Sequence, residues 1–127
     1  MKYSIEKTEK YTKLTLDEDK LDTLKAPQLK SELVTLYQSG MVNLILDLSK
    51  VKYVDSSGLS SILVAHRMSK EVKGCLIMVG VNDHVMKLMK ISKLENVLQM
   101  VPTVEEAVDA VFLNEIEKDL EDGDEER

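Results

Sequence analysis

An aspartate and two serines stand together at Asp55, Ser56 and Ser57, after the apolar pair Tyr53-Val54 and before a helically spaced stretch that opens at Gly58. A helix start leaves its first backbone N–H groups without partners, and Asp and Ser side chains are short enough to accept from them. Capping is therefore one chemistry available to this cluster, with Gly58 permitting close packing of the helix end. Phosphate acceptance by a serine is the other. A hydroxyl at a helix N-terminus lies among backbone donors at the positive end of the helix dipole, where an added phosphate is tolerated. The phosphate brings bulk and about −1.5 to −2 charges, and Asp55 beside it adds repulsion. The fold would survive such a modification while a docking surface centred there is lost. The two roles do not exclude each other.

The remaining reactive side chains offer less. His66 and His84 are the only histidines and Cys75 the only cysteine, so neither a metal site nor an internal disulfide is expected. His66 reads as a surface or half-buried residue of the helix that follows the serines. Cys75 lies in an apolar run and reads as a small buried residue, not a nucleophile. A receiver-type phosphoaspartate at Asp47 would need an acidic pair, a lysine and magnesium gathered around it, which the order of elements does not offer. There is no G-x-S-x-G elbow and no Walker-type phosphate loop, and no base is placed to make Ser56 a hydrolase nucleophile.

The elements that must position Asp55, Ser56 and Ser57 follow from periodicity. Residues Tyr3 to Lys7 and Tyr11 to Leu16 alternate as a hairpin around a Thr8-Glu9-Lys10 turn, and Asp17 to Lys20 follow as a charged loop. A helix is expected from Asp22 or Thr23, either of which can cap it, with Pro27 in the first turn, Leu29, Leu33 and Leu36 inward, and Gly40 as the stop. Leu44 to Leu48 and Cys75 to Val79 are nearly continuous apolar runs, which suit parallel strands covered on both faces. Between them the helix from Gly58 to about Lys73 buries Leu59, Ile62, Leu63, Ala65 and Val72, and Gly74 ends it. A third helix is expected over Asp83 to Ile91, capped by Asn82, with Val85, Leu88 and Met89 inward. A short edge strand follows near Val97 to Val101. Thr103 and Glu106 form a capping box for the last helix, whose apolar face is Val104, Ala107, Val108, Val111 and Phe112. Ile116 and Leu120 prolong that helix, and beyond Leu120 the acidic end should fray. Buried strands separated by helices make an α/β layer fold.

Composition bounds the rest. The 127 residues are 43% hydrophobic but only 4% aromatic, so one domain with an aliphatic core is expected, with Met68, Met78, Met86 and Met89 as filler. No apolar run approaches the roughly 18 residues needed to span a bilayer, and the N-terminus develops no apolar signal region. A cytoplasmic location is the resulting expectation. The net charge of −6 resides in Asn114 to Arg127, where eight acids meet only Lys118 and Arg127, and the remainder is neutral. No clustered basic stripe is present, which argues against direct nucleic-acid binding. The acidic segment reads as a solvated extension.

The run Asp47-Leu48-Ser49-Lys50-Val51-Lys52-Tyr53-Val54-Asp55-Ser56-Ser57-Gly58-Leu59-Ser60-Ser61-Ile62-Leu63 resembles the signature of anti-anti-sigma factors, which are STAS domains. Leu21 to Leu33 upstream, Leu76 to Leu98 and Thr103 to Val108 downstream extend the resemblance in consistent order over about residues 3 to 113. It implies a mixed sheet of four to five strands flanked by about four helices. The STAS domain would span 1–113, with 114–127 an acidic extension that continues the helix and then frays.

In this family the serine directly after the aspartate is phosphorylated by the anti-sigma factor, an ATP-using serine kinase. Carried over, that serine is Ser56, with Ser57 its less favoured neighbour. The unmodified form would bind the kinase and free the sigma factor, phosphorylation would release it, and a serine phosphatase would reset it. The protein itself would need no cofactor. The docking face implied is Asp22, Thr23, Asp55, Ser56, Ser57, Ser60 and Val64. Many members carry a Gly-Glu-Leu/Ile-Asp loop where this chain has Asp19-Lys20-Leu21-Asp22, which puts partner identity in question. The alternative use of the same domain is as a regulatory or scaffold subunit of a transporter or signalling complex, without serine phosphorylation.

Overall fold

A computed structural model describes residues 1–125 of the chain. Strands β1 (Tyr3–Lys7), β2 (Thr12–Leu16), β4 (Leu44–Asp47), β6 (Leu76–Val79) and β7 (Gln99–Val101) form one mixed sheet in the order β1-β2-β4-β6-β7. The hairpin pair β1–β2 is antiparallel and every other pairing is parallel. Two further strands, β3 (Lys20–Leu21) and β5 (Tyr53–Val54), pair in parallel as a separate small sheet. The described residues contain four helices: α1 (Ala26–Gln38), α2 (Ser56–Glu71), α3 (Asp83–Ile91) and α4 (Val104–Glu125).

The apolar runs of β4 and β6 are buried on both faces, as their lack of alternation predicts. Leu44, Leu46, Leu76 and Met78 point into the larger core, where Leu29 and Leu33 of α1, Ile62 and Ala65 of α2, and Val85 and Met89 of α3 meet them. Ile45, Ile77 and Val79 point the other way and are covered by Ala107 and Val111 of α4. Each fully buried Leu or Ile in these layers contributes roughly 1.5–3 kcal/mol against exposure. Met78 and Met89 are buried filler, and Met68 and Met86 are half-buried.

Several boundaries differ from the sequence reading. Neither Asp22 nor Thr23 caps α1, which starts at Ala26 with Lys25 before it and no side-chain cap. Asp22 instead folds on itself: its Oδ1 accepts from Leu24 N at 3.1 Å and its carbonyl from Ala26 N at 2.7 Å, a tight turn ahead of the helix. Lys20, expected in a loop, belongs to β3. Two-residue strands carry no periodic signal, and this one is held by backbone bonds from Lys52 and Tyr53 to Asp19 O. The last strand is shorter than expected, because Val97 N and Leu98 N bond back to Leu94 O. Phe112 does not join the inner face of α4. Ala107 and Val111 lie four residues apart on the sheet, and the next residue turns about 100° away. The α4 backbone also runs past Leu120 to Glu125. That segment has no proline to break the helix, although Gly123 and its two aspartates are weak helix formers.

At the N-terminal ends of β4 and β6, the buried Asn43 serves four groups at once. Its Nδ2 donates to Lys10 O at 2.9 Å and to Glu115 Oε1 at 2.7 Å. Its Oδ1 accepts from Cys75 N at 3.1 Å and from Cys75 Sγ at 3.3 Å. The β1–β2 turn, the start of β6 and α4 are thereby tied to one side chain. Replacing Asn43 with Ala leaves buried donors and acceptors unmatched, and urea unfolding should register a loss of about 1–3 kcal/mol.

Candidate functional site

The short sheet β3–β5 delivers the chain directly into α2. Asp55 follows β5 in extended conformation (φ −96°, ψ −175°) and is the N-cap, with Ser56 the first helical residue. The carboxylate is divided between two segments. Oδ1 accepts from Gly58 N at 2.9 Å, which closes the first turn of α2. Oδ2 accepts from Thr23 N at 3.1 Å and from Thr23 Oγ1 at 3.2 Å, which holds the β3–α1 turn against the helix end. Thr23 Oγ1 also lies 3.2 Å from Ser57 Oγ. With the threonine proton committed to Asp55, the Ser57 hydroxyl is the donor in that pair.

Close approach of the two segments depends on Gly58. A Cβ built there would stand 2.2 Å from Leu21 O and 2.9 Å from Val54 Cγ1. Asp55 N bonds to the same Leu21 carbonyl at 3.2 Å. Below this contact Ser61 is fully buried, its hydroxyl donating to Gly58 O at 2.6 Å.

The structure brings together most of the residues singled out from the sequence. Asp55, Ser57 and Thr23 form one hydrogen-bonded group, and Asp22 makes the turn that presents Thr23. Ser56 is exposed, while Ser57, Ser60, Val64 and His66 are half-buried along the following helix. Among the described residues no side-chain hydrogen bond engages the Ser56 hydroxyl, whereas the neighbouring Ser57 hydroxyl is engaged.

Three side chains at this end of the molecule were missed by sequence reasoning. Leu24 is 79% exposed and follows Thr23 directly. Tyr53 is exposed in β5, and its ring stacks on His84 with centroids 5.8 Å apart. The N-cap of α3 fixes that pair, because Asn82 accepts from Val85 N and donates to the carbonyls of Val51 and Lys52. Leu24 did carry a signal: it is the one apolar residue in a polar turn that fits neither neighbouring stripe.

The Gly58 N–H holds the Asp55 carboxyl below the usual carboxylate range. Partial desolvation opposes it, and the Thr23 N–H and hydroxyl and the Ser57 N–H reinforce it. A carboxyl depressed in the folded state stabilises the fold above its unfolded pKa, and that contribution is lost as pH falls through the lower folded value. Acid unfolding followed by circular dichroism should therefore be less steep below about pH 4 in Asp55→Asn, which keeps an acceptor for Gly58 N but has no charge to lose. Gly58→Ala should destabilise the protein by about 1–3 kcal/mol, read as a lower denaturant midpoint, because Leu21 and Val54 must yield to the added carbon.

An α/β module with one worked helix terminus at the edge of its sheet is the class these features define. The sequence pattern of the STAS domain matches residues 2–107, and the chain belongs to that family. Two curated relatives match part of it. The anti-sigma-B factor antagonist of Listeria monocytogenes is 26% identical over 80 residues, covering 63% of this chain and 70% of that protein. BtrV of Bordetella bronchiseptica is 29% identical over 72 residues, covering 57% of this chain and only 62% of the relative's length. Among solved structures, the anti-sigma factor antagonist SpoIIAA in its unphosphorylated form superposes with a TM-score of 0.70 at 23% identity, covering 87% of this chain and 97% of SpoIIAA. The phosphorylated form of SpoIIAA, from Bacillus, gives a TM-score of 0.69 at 24% identity, with 87% and 99% coverage. Four helices on a mixed five-stranded sheet are the shared fold.

Proposed function

We propose that this chain is a cytoplasmic anti-sigma factor antagonist, a binding module and not a catalyst, switched by phosphorylation of Ser56. In the unmodified state its docking face, built from Asp22, Thr23, Asp55, Ser56, Ser57, Ser60 and Val64, binds an anti-sigma factor that is also a serine kinase. The sigma factor is thereby freed. ATP belongs to the partner, and a serine phosphatase restores the unmodified state. The relatives' names and the two states of SpoIIAA support this reading. The observation that carries it is local: Ser56 presents an exposed hydroxyl at the first position of α2, while Ser57 donates to Thr23. No helix of the described residues is long and apolar enough to cross a membrane.

The mechanism follows from charge placement. A phosphate on Ser56 gains from the helix N-terminus, so the fold is retained. It also adds about −1.5 to −2 charges next to the Asp55 carboxylate, in the middle of the face a partner must cover. Burying that charge against a surface made for a neutral hydroxyl is strongly unfavourable. Binding is lost without unfolding.

The test is incubation of the protein with its anti-sigma kinase and ATP, followed by mass spectrometry and binding measurements. Phosphate should appear on the wild type and on Ser57→Ala and be absent from Ser56→Ala, and the phosphorylated protein should bind the kinase at least about tenfold more weakly. Phosphate persisting on Ser56→Ala overturns the assignment. Stable association with a membrane transporter, with Ser56 unmodified in the cell, overturns the function.

A further inference from the structure

Helix α4 changes character halfway along its length. In its first half Ala107 and Val111 are fully buried on the sheet and Val104 and Val108 are half-buried, as in any helix that covers a core. From residue 112 the pattern inverts. Phe112 is 44% exposed, Leu113 61%, Ile116 56% and Leu120 64%, whereas the polar Asn114, Glu115 and Lys118 are half-buried towards the body. Glu115 is held there by Asn43. The four outward apolar residues fall within a sector of about 100° and span about 12 Å of the helix axis. Asp109, Glu117, Asp119 and Glu121 are exposed on the same helix and rim the stripe.

We infer that this outward stripe is a second docking surface, for a partner helix whose apolar seam is flanked by lysine and arginine. Charge selects the occupant. A second copy of this chain docked stripe against stripe would bring the same acidic rim against itself, and Lys118, the only base between Val104 and Glu121, is turned inward. An anionic lipid surface meets the same repulsion. A basic amphipathic helix buries the four apolar side chains and neutralises the rim in one contact, and the acidic field speeds its approach. The stripe belongs to the helix on one face of the sheet, while α1 and α2 cover the other, so occupancy here leaves Ser56 open. The inference is independent of any modification of Ser56.

Titration of the isotope-labelled full chain, followed by amide NMR shifts, provides the test. The probe is an amphipathic Leu/Lys peptide of about eighteen residues, long enough to be helical on contact. Controls are the same composition scrambled and a Leu/Glu counterpart. Shifts should concentrate at residues 109–121, affinity should fall at least about tenfold in Ile116→Glu and in the Glu117→Lys/Asp119→Lys variant, and about 0.5 M salt should weaken binding. The second variant keeps the apolar stripe, and both alter exposed positions, so an unchanged melting temperature separates lost docking from lost fold. Absence of binding, equal binding of the scrambled peptide, or shifts centred elsewhere overturns the inference. So does sedimentation showing a wild-type dimer that Leu113→Glu dissociates, which would assign the stripe to self-association.

Discussion

One carboxylate joins two segments that stand 32 residues apart in the chain, and the working end of the molecule is arranged around it. Asp55 gives one oxygen to the first turn of α2 and the other to Thr23, so helix end and turn are fixed by the same group. The missing side chain at Gly58 lets α2 sit against the Leu21 carbonyl, which brings Asp55 within reach of Thr23. The consequence for Ser56 is positional. Its neighbours on both sides are committed, Asp55 to the cap and Ser57 to Thr23, and it alone faces outward from a rigid base. The switch proposed for Ser56, acting by charge and not by movement, would need such a base, because the surface would have to be the same before and after modification apart from the added group.

The two-sided core explains why this base is stable. Alternate residues of β4 and β6 feed opposite layers, with three helices on one side and a single helix on the other. Buried Tyr37 donates to Ala65 O at 3.3 Å, so α1 and α2 are linked by a hydrogen bond as well as by packing. The layer under α4 is thinner, with five buried residues against the much larger opposite cluster, and the polar hub at Asn43 supplements it. Division of labour results: the thick layer supports the Ser56 end, and the thin one carries a helix whose outer surface is free for other use.

Much of this was legible in the residues. Leu44 to Leu48 and Cys75 to Val79 announce doubly covered strands by their continuity, and Asn82 and Thr103 announce helix starts that the structure reproduces with bonds to Val85 N and Glu106 N. The Asp55-Ser56-Ser57-Gly58 junction was legible as a cap with a close-packed glycine. What could not be read was tertiary. Asp22 and Thr23 look like caps for α1, yet Thr23 is claimed by a carboxylate from a distant segment and Asp22 by its own turn. The strand at Lys20 exists only because Tyr53 lies beside it. Phe112 fits a helical stripe by spacing, yet with Ala107 and Val111 centred on the sheet it stands about 100° round the helix and meets solvent.

The single thiol shows how the hub at Asn43 reaches beyond packing. Cys75 is half-buried and not enclosed as its apolar run suggests, because it precedes β6 instead of lying in it. Partial burial still pushes its thiol upward, and its sulfur rests 3.3 Å from Asn43 Oδ1. Thiolate, not thiol, is the species that attacks peroxide and disulfides, so the upward shift lowers the reactive fraction of this sulfur. Sulfenic acid and mixed disulfides are thus disfavoured at this one sulfur while the protein is folded.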